Sequence, residues 1–400
     1  MNPTRFFAKD YQDARKKFLK AADSTGGALD HFRHPSERGP DGGALSMDTA
    51  WFGPKDASTI LLVLSGTHGA EGFCGSAAQL LWIEEGRAKD LPAGVAVLKV
   101  HAVNPFGFSH WLRVNEGNVD LNRNWLDFDQ PWPKNPIYDE VQKVLPKRPG
   151  YDAAAVDEHM EAVAPLYKKH GDWAMSDALS RGQYDHPGGT QFGGQKREWS
   201  SLTLDYILRT KCAAARHIAY IDWHSLVRIG DGKFVYLCFN QTGDPLFKRV
   251  GAWWGETAID RKTVDAQWGA GIARSERRPS RNGLVMWGLQ HILAPKADLA
   301  GGVIEFCADS EPHNDPLRHR LQQSLKAQYL FTHRRYDTKE AKAIVEEMRE
   351  GCCPTRRNWQ ERALAAAMNT YDKTLEGAGR WAADNAPAQP GKLLRSSSFV

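Results

Sequence analysis

Three short stretches of this chain carry side chains that could meet at one metal ion, and a fourth carries arginines that could serve the same site. The first is Ser65-Gly-Thr-His68-Gly-Ala-Glu71-Gly72. An imidazole and a carboxylate three residues apart, on a turn leaving an apolar run, can converge on a cation, and zinc accepts such nitrogen and oxygen ligands. The flanking glycines let the backbone turn tightly there. The plainer alternative is a solvated histidine beside a glutamate at the positive end of a helix. In Ile221-Asp-Trp-His224-Ser225 a second histidine closes another apolar run. It is either a hydrogen-bonded structural residue or the distant third ligand of a catalytic zinc site, which uses three protein groups and leaves a position for water. Asp222 beside it could orient a ligand from behind or serve structure alone. Glu305 lies inside Gly-Gly-Val-Ile-Glu-Phe-Cys, where a carboxylate is costly unless it has a partner or a task. Desolvation would raise its pKa and suit it to act as a general base, whereas an edge strand or a salt bridge would explain it without chemistry. Between these lies a block dense in hydrogen-bond donors, with Arg113 and Arg123. Their guanidinium forks match a carboxylate or a developing oxyanion, or else they pair on the surface with Asp120, Asp127 or Glu116.

Such residues need a scaffold that gathers distant segments. Ile60–Leu64 is a continuous apolar run that suits a strand buried on both faces, residues 77–85 read as a helix, and 95–103 as a second buried strand. Strand, helix, strand is a βαβ unit, so the chain is expected to be α/β with a mainly parallel sheet. In such sheets, ligands bind beyond the carboxyl ends of strands, where His68 and His224 fall. Helical spacing also marks residues 9–23, with Asp10 as cap and Gly26-Gly27 as stop. Further strands are expected at 217–222, 234–239 and 303–306, and a helix at 202–215. Pro35–Gly43 reads as a turn, Pro131–Gly150 as irregular, the stretch to about 180 as polar helix, and 182–198 as a glycine-rich loop. Residues 1–385 form one expected catalytic domain, with an insertion at 126–200 and C-terminal helices at 316–385, and 386–400 as a disordered tail.

Composition narrows the function classes. Of the 400 residues 42% are hydrophobic and 25% charged, as in an ordinary globular chain, and the net charge of +4 is interspersed, so no nucleic-acid face is expected. No apolar run reaches the length of a membrane span, and the first residues lack a secretory pattern. Six cysteines without a Cys-x-x-Cys pair point to reduced thiols and a cytoplasmic setting. The Gly-x-Ser-x-Gly elbow, the phosphate-binding glycine loops and His-Glu-x-x-His are all missing, which argues against serine hydrolases, nucleotide enzymes and helical metalloproteases.

His68-Gly-Ala-Glu71-Gly, Asn104-Pro-Phe-Gly107, Arg113 through Asp-Leu-Asn122-Arg123-Asn124, the strand-end His224 and the strand Glu305 occur in the order of the zinc carboxypeptidase superfamily. The chain resembles an uncharacterised bacterial branch of it, with further likeness in Met47–Trp51, Phe73–Ser76 and Gly182–Ser200. The resemblance implies an α/β/α sandwich around a mixed, mostly parallel sheet of about eight strands. It implies one zinc ion held by His68, Glu71 and His224, with Glu305 as general acid/base. Arg113 would polarise the scissile carbonyl, and Asn122 and Arg123 would take a substrate carboxylate. The implied activity is metallocarboxypeptidase-like hydrolysis of an amide beside a carboxylate, in a small peptide or, alternatively, an N-acyl amino acid; a binding module without catalysis lies outside that class. Ser225–Gly232 departs from the branch's usual run after the histidine and adds Arg228. Phe306–Asp309 departs after the glutamate, and no equivalent of the digestive enzymes' substrate-covering tyrosine is found. The 126–200 insertion is expected to narrow the cleft toward small substrates.

Overall fold

Asp10 accepts a hydrogen bond from the Asp13 amide at 2.8 Å and starts helix α1 (Tyr11–Ser24), whose Tyr11, Ala14, Phe18 and Ala22 are buried as the helical spacing predicts. In this computed structural model the described residues are 2–147, 150–226, 234–238, 240, 244–259, 281–293, 296–307 and 316–384. Strands β1 (Ala28–Arg38) and β2 (Ala44–Phe52) then form an antiparallel hairpin whose connection is confined to residues 39–43, since Pro35–Arg38, expected in the turn, extend β1. Neither strand is legible as an apolar run, because β1 is a polar, half-exposed edge strand containing Pro35, a residue that edge positions tolerate.

Strand β3 (Thr59–Ser65), helix α2 (Gly72–Glu84) and strand β4 (Val95–His101) make the expected βαβ unit. A short helix, α3 (Pro105–Ser109), follows. The insertion folds as α4 (Pro136–Val144), α5 (Ala153–His170) and α6 (Asp172–Ala178). Helix α4 corrects the reading of 131–150 as irregular: Pro136 is not a breaker there but the first helical residue behind the Asn135 cap. The chain continues through α7 (Trp199–Lys211), β5 (His217–Leu226), β6 (Val235–Cys238), α8 (Pro245–Trp254), α9 (Val285–Leu293) and β7 (Asp298–Cys307). Helices α10 (Pro316–His333), α11 (Lys339–Cys352) and α12 (Arg357–Asp384) complete it. Arg228, most of the 225–232 departure, Ala308–Asp309 and the expected 386–400 tail lie outside the described residues.

The strands form one mixed sheet in the order β1-β2-β4-β3-β5-β7-β6, with β4, β3, β5 and β7 mutually parallel and both flanks antiparallel. Among the described residues the sheet has seven strands, against the eight or so that the resemblance implies. Both of its faces are covered. Along β3, Leu61 and Val63 join a core with α1, α2, α8 and α12, while Ile60, Leu62 and Leu64 join another with α7 and α9. That division explains why β3 reads as unbroken hydrophobic sequence rather than as alternation. The architecture is thus α/β, with helices on either side of the sheet. No helix among the described residues is long and apolar enough to cross a membrane.

Candidate metal centre

The chain leaves β3 and runs on one side to α2 and β4 and on the other, later, to β5, so strand order reverses about β3. The carboxyl ends of β3, β5 and β7 therefore border a crevice of the kind in which α/β sheets bind ligands. His68 and Glu71 lie on the turn just beyond β3. His224 is near the end of β5, and the parallel register pairs it with Glu305 on β7. Paired residues in such a register point to the same face of the sheet. This one pairing brings together groups 81 positions apart (305 − 224).

The turn bearing His68 and Glu71 is held against α3. The Ala70 amide donates to the Leu112 carbonyl at 2.9 Å, and a Cβ on Gly69 would lie 1.9 Å from the Gly107 carbonyl carbon. Only glycine permits that approach, which accounts for Gly69 in the first motif, while a Cβ on Gly107 would itself lie 2.5 Å from Asn104 Nδ2 and 2.6 Å from the Val114 carbonyl oxygen. Asn104 closes the contact by accepting from the Gly107 amide at 2.8 Å and donating to the Arg113 carbonyl at 3.3 Å.

Three ligand-type side chains converge. The Nδ1 atoms of His68 and His224 are 3.0 Å apart. The Glu71 carboxylate sits 3.0 Å from the first and 3.3 Å from the second. His68 and His224 are 4% and 2% exposed, so bulk water does not fill the gap between them. Behind them, His68 Nε2 is 3.2 Å from Asp120 and His224 Nε2 is 3.0 Å from Asp222. The Asp120 carboxylate, hydrogen-bonded to His68 Nε2, keeps the proton on that nitrogen and turns Nδ1 forward, and Asp222 stands at ion-pair distance behind His224. Two imidazole nitrogens and a carboxylate, buried together, repel one another unless a cation lies among them. A proton can satisfy one pair of these atoms; a divalent ion satisfies all three. The donor set therefore fits zinc, with His68, Glu71 and His224 as the residues that would hold it.

The supporting residues are themselves fixed. Asp222 accepts from Thr67 Oγ1 at 2.9 Å and from the Tyr220 hydroxyl at 3.1 Å. Asp120 accepts from Arg113 Nε at 3.0 Å and from the Asn122 amide at 2.9 Å. Burial would raise the Asp120 pKa, but Arg113, Arg123 and His68 override it and hold the carboxyl well below the usual range. Glu71 is likewise lowered, because the two imidazoles outweigh its desolvation. Burial opposes the charge on His224, yet Asp222 and Glu71 raise its pKa well above the ordinary value.

Glu305 differs from this group. Its Oε2 atom is buried and accepts no hydrogen bond among the described residues. Desolvation raises its pKa, His224 partly offsets that, and Glu71 adds to it. An orphaned carboxylate oxygen of raised basicity beside a metal-type cluster is equipped to take up a proton. Arg113 lies between Asp120 and Glu71 Oε1, the latter at 3.2 Å, and lines the same cavity as Glu305. Arg123 has a different setting. It is buried, donates from Nε and Nη2 to the Ser180 carbonyl at 3.2 and 2.7 Å, and donates from Nη1 to the Asn122 carbonyl. Asn122 Oδ1 accepts from the Val285 amide at 3.0 Å. In this conformation both residues brace the loop that carries Asp120 and do not line the cavity. Burial pushes the Arg123 pKa down to about 10.

Sequence reasoning assigned no site role to Asp120 or Arg281. Asp120 stands within the same donor-rich block, where its sequence setting marks it only as an ion-pair partner for an arginine. Arg281 lines the cavity and is close enough to lower the pKa of Glu305; nothing in its local sequence marks it. The insertion does not fill the cleft. With α10 and α11 it walls a cavity of about 1330 Å³ reaching Glu71, Arg113, Ser225 and Glu305.

A family model described as a protein of unknown function, DUF2817, matches residues 7–366. The chain belongs to the DUF2817 family. Solved metallocarboxypeptidases are among the structures that the chain matches. Carboxypeptidase A from Helicoverpa armigera is 12% identical, with 87% of this chain and 74% of that chain covered and a TM-score of 0.44. Bovine thrombin-activatable fibrinolysis inhibitor, in complex with tick carboxypeptidase inhibitor, is 12% identical over 86% and 99%, with a TM-score of 0.41. A metallo-carboxypeptidase from Burkholderia cenocepacia is 13% identical over 81% and 68%, with a TM-score of 0.35. No curated protein matches the chain. Likeness this low leaves the chemistry to be argued from the chain's own side chains.

Proposed function

We propose that the protein is a zinc-dependent hydrolase of an amide bond beside a substrate carboxylate, with one ion held by His68, Glu71 and His224. The observation that carries this reading is the approach of two imidazole nitrogens to 3.0 Å, each ring backed by an aspartate and both faced by Glu71. Zinc, when bound, is a Lewis acid that lowers the pKa of water toward ~7. Glu305 takes a proton at its unpaired Oε2 and later returns it to the departing amine. Arg113, facing the cavity, directs its guanidinium at the carbonyl oxygen where negative charge develops. The substrate carboxylate is taken where Arg113 and Arg281 line the cavity, with Asn122 and Arg123 behind them as the pair whose loss loosens that end.

Within this class, a carboxypeptidase-like action on small peptides and deacylation of N-acyl amino acids need the same groups. The mostly apolar cavity favours the second. A binding module that lost catalysis would lack a ligand or the base, and this chain has all four. The test is metal analysis of the purified protein, then hydrolysis before and after chelation and zinc return. One zinc per chain and turnover that is lost when the substrate carboxylate is amidated are expected. A metal-free protein that does not take up zinc, or turnover indifferent to the chelator, would overturn the reading.

A further inference from the structure

The cavity reaches Glu71, Arg113, Arg281 and Glu305, and its lining exposes more apolar than polar surface: among polar side chains such as Gln142, Arg320 and Gln328 stand Val141 and Leu145 near α4, Met160 and Val163 on α5, and Leu321 and Leu325 on α10. Its volume of about 1330 Å³ exceeds the roughly 300–1,000 Å³ of common small-ligand pockets. The helical insertion has an apolar cluster of its own, Val141, Val163, Leu166 and Met175, separate from the two cores of the sheet. Val141 and Val163 are buried and back the lining, while Leu145, Met160, Leu321 and Leu325 are only half-buried and present apolar surface to the cavity. Leaving apolar surface uncovered forgoes about 25 cal/mol per Å², so an apolar occupant would stabilise this wall in a way that a polar one would not.

We propose that this cavity is an acyl-chain chamber, and that the substrate is an N-acyl amino acid with a medium or long aliphatic acyl group. The inference rests on the hydrolase reading above and narrows it. A peptide running through the chamber would carry an amide donor and acceptor at every residue, each costly to desolvate unpaired. An aliphatic chain carries none, and asks only for the apolar contact that α4, α5 and α10 present. The carboxylate of the amino acid stays at the end bearing Arg113 and Arg281. Hydrolysis is redox-neutral: the amide C–N bond breaks, water's oxygen joins the acyl carbon, and the products are a fatty carboxylate and an ammonium-bearing amino acid.

The test uses the zinc-loaded full chain and a series from N-acetyl through N-octanoyl to N-dodecanoyl on one racemic amino acid. Each added methylene is expected to raise kcat/KM about fourfold until the chamber is full, making octanoyl better than acetyl by about 10³-fold or more when all six added methylenes are accommodated. Val163→Trp, which fills the chamber, is expected to flatten that dependence. Should the variant fail to fold by its melting transition, inhibition of the wild type by free carboxylates decides instead. Inhibition that tightens about fourfold per methylene from hexanoate to dodecanoate supports the chamber, and inhibition indifferent to length overturns it. Turnover of the acetyl compound with no gain from chain length overturns this inference alone. Absence of turnover across the whole series, from a chain that holds zinc and cleaves small peptides, overturns this inference alone, and absence of turnover on both substrate kinds sinks the hydrolase reading as well.

Discussion

Lys99 on β4 and the His68–Glu71–His224 cluster beyond β3 and β5 are both buried polar chemistry in one sheet, yet they are built on opposite principles. The Lys99 amine is wholly inaccessible and lies 4.1 Å over the Trp82 ring and 4.2 Å over the Tyr371 ring, donating to the Tyr371 hydroxyl at 3.1 Å. Its surroundings are apolar walls and one hydroxyl, all satisfied by the amine itself. The metal-type cluster instead aims three electron-rich groups at a common point and backs two of them with carboxylates. Burial of a polar group is therefore not the mark of a site; convergence of donors that repel one another without a partner is.

That contrast can be broken by experiment. His224→Ala is expected to reduce bound metal from about one per chain to near none, whereas Lys99→Met retains it. Equal loss or equal retention in metal analysis would erase the distinction. Glu305→Gln should keep metal and fold while slowing turnover about 10²-fold or more, and near-normal turnover would remove its role. Asp222→Asn, which leaves the ligand but weakens its orientation, should cost about 10–100-fold in zinc affinity as read by competition with a chelator. The smallest effect concerns Lys99. Burial holds its native pKa well below the ordinary 10.5, so over the interval between the two values the unfolded chain binds a proton that the native chain does not. Wild-type stability should rise with pH through that interval. Lys99→Met should accordingly show its largest advantage in urea midpoint near neutral pH, shrinking as pH approaches 10.5. A difference that grows with pH would mean the native amine is charged.

Much of the candidate centre is legible in the sequence, because metal ligation demands particular side chains at strand ends and the buried strands announce themselves as apolar runs. The βαβ unit and the strands bearing His224 and Glu305 are of that kind. The β1–β2 hairpin was not legible: β1 has one face in solvent and Pro35 within it, so its pairing depends on β2 rather than on its own propensity. Helix α4 was hidden by a proline that caps rather than breaks. Lys99 drew no notice, since a single lysine between apolar residues looks like a surface side chain until both faces of its strand are known to be covered.

From the residues alone followed the chemical inventory: two imidazoles, two carboxylates and the guanidinium of Arg113, each tied to a recognisable strand, turn or loop. Tertiary structure decided their meeting, through the register that sets His224 opposite Glu305 and the glycine contact that presses the Gly69 turn onto Gly107. It also decided that Arg123 braces a loop and that the insertion encloses a cavity. The reason is physical. Side-chain type and local periodicity are properties of neighbours along the chain, while convergence, desolvation and enclosed volume are properties of segments that only packing brings side by side.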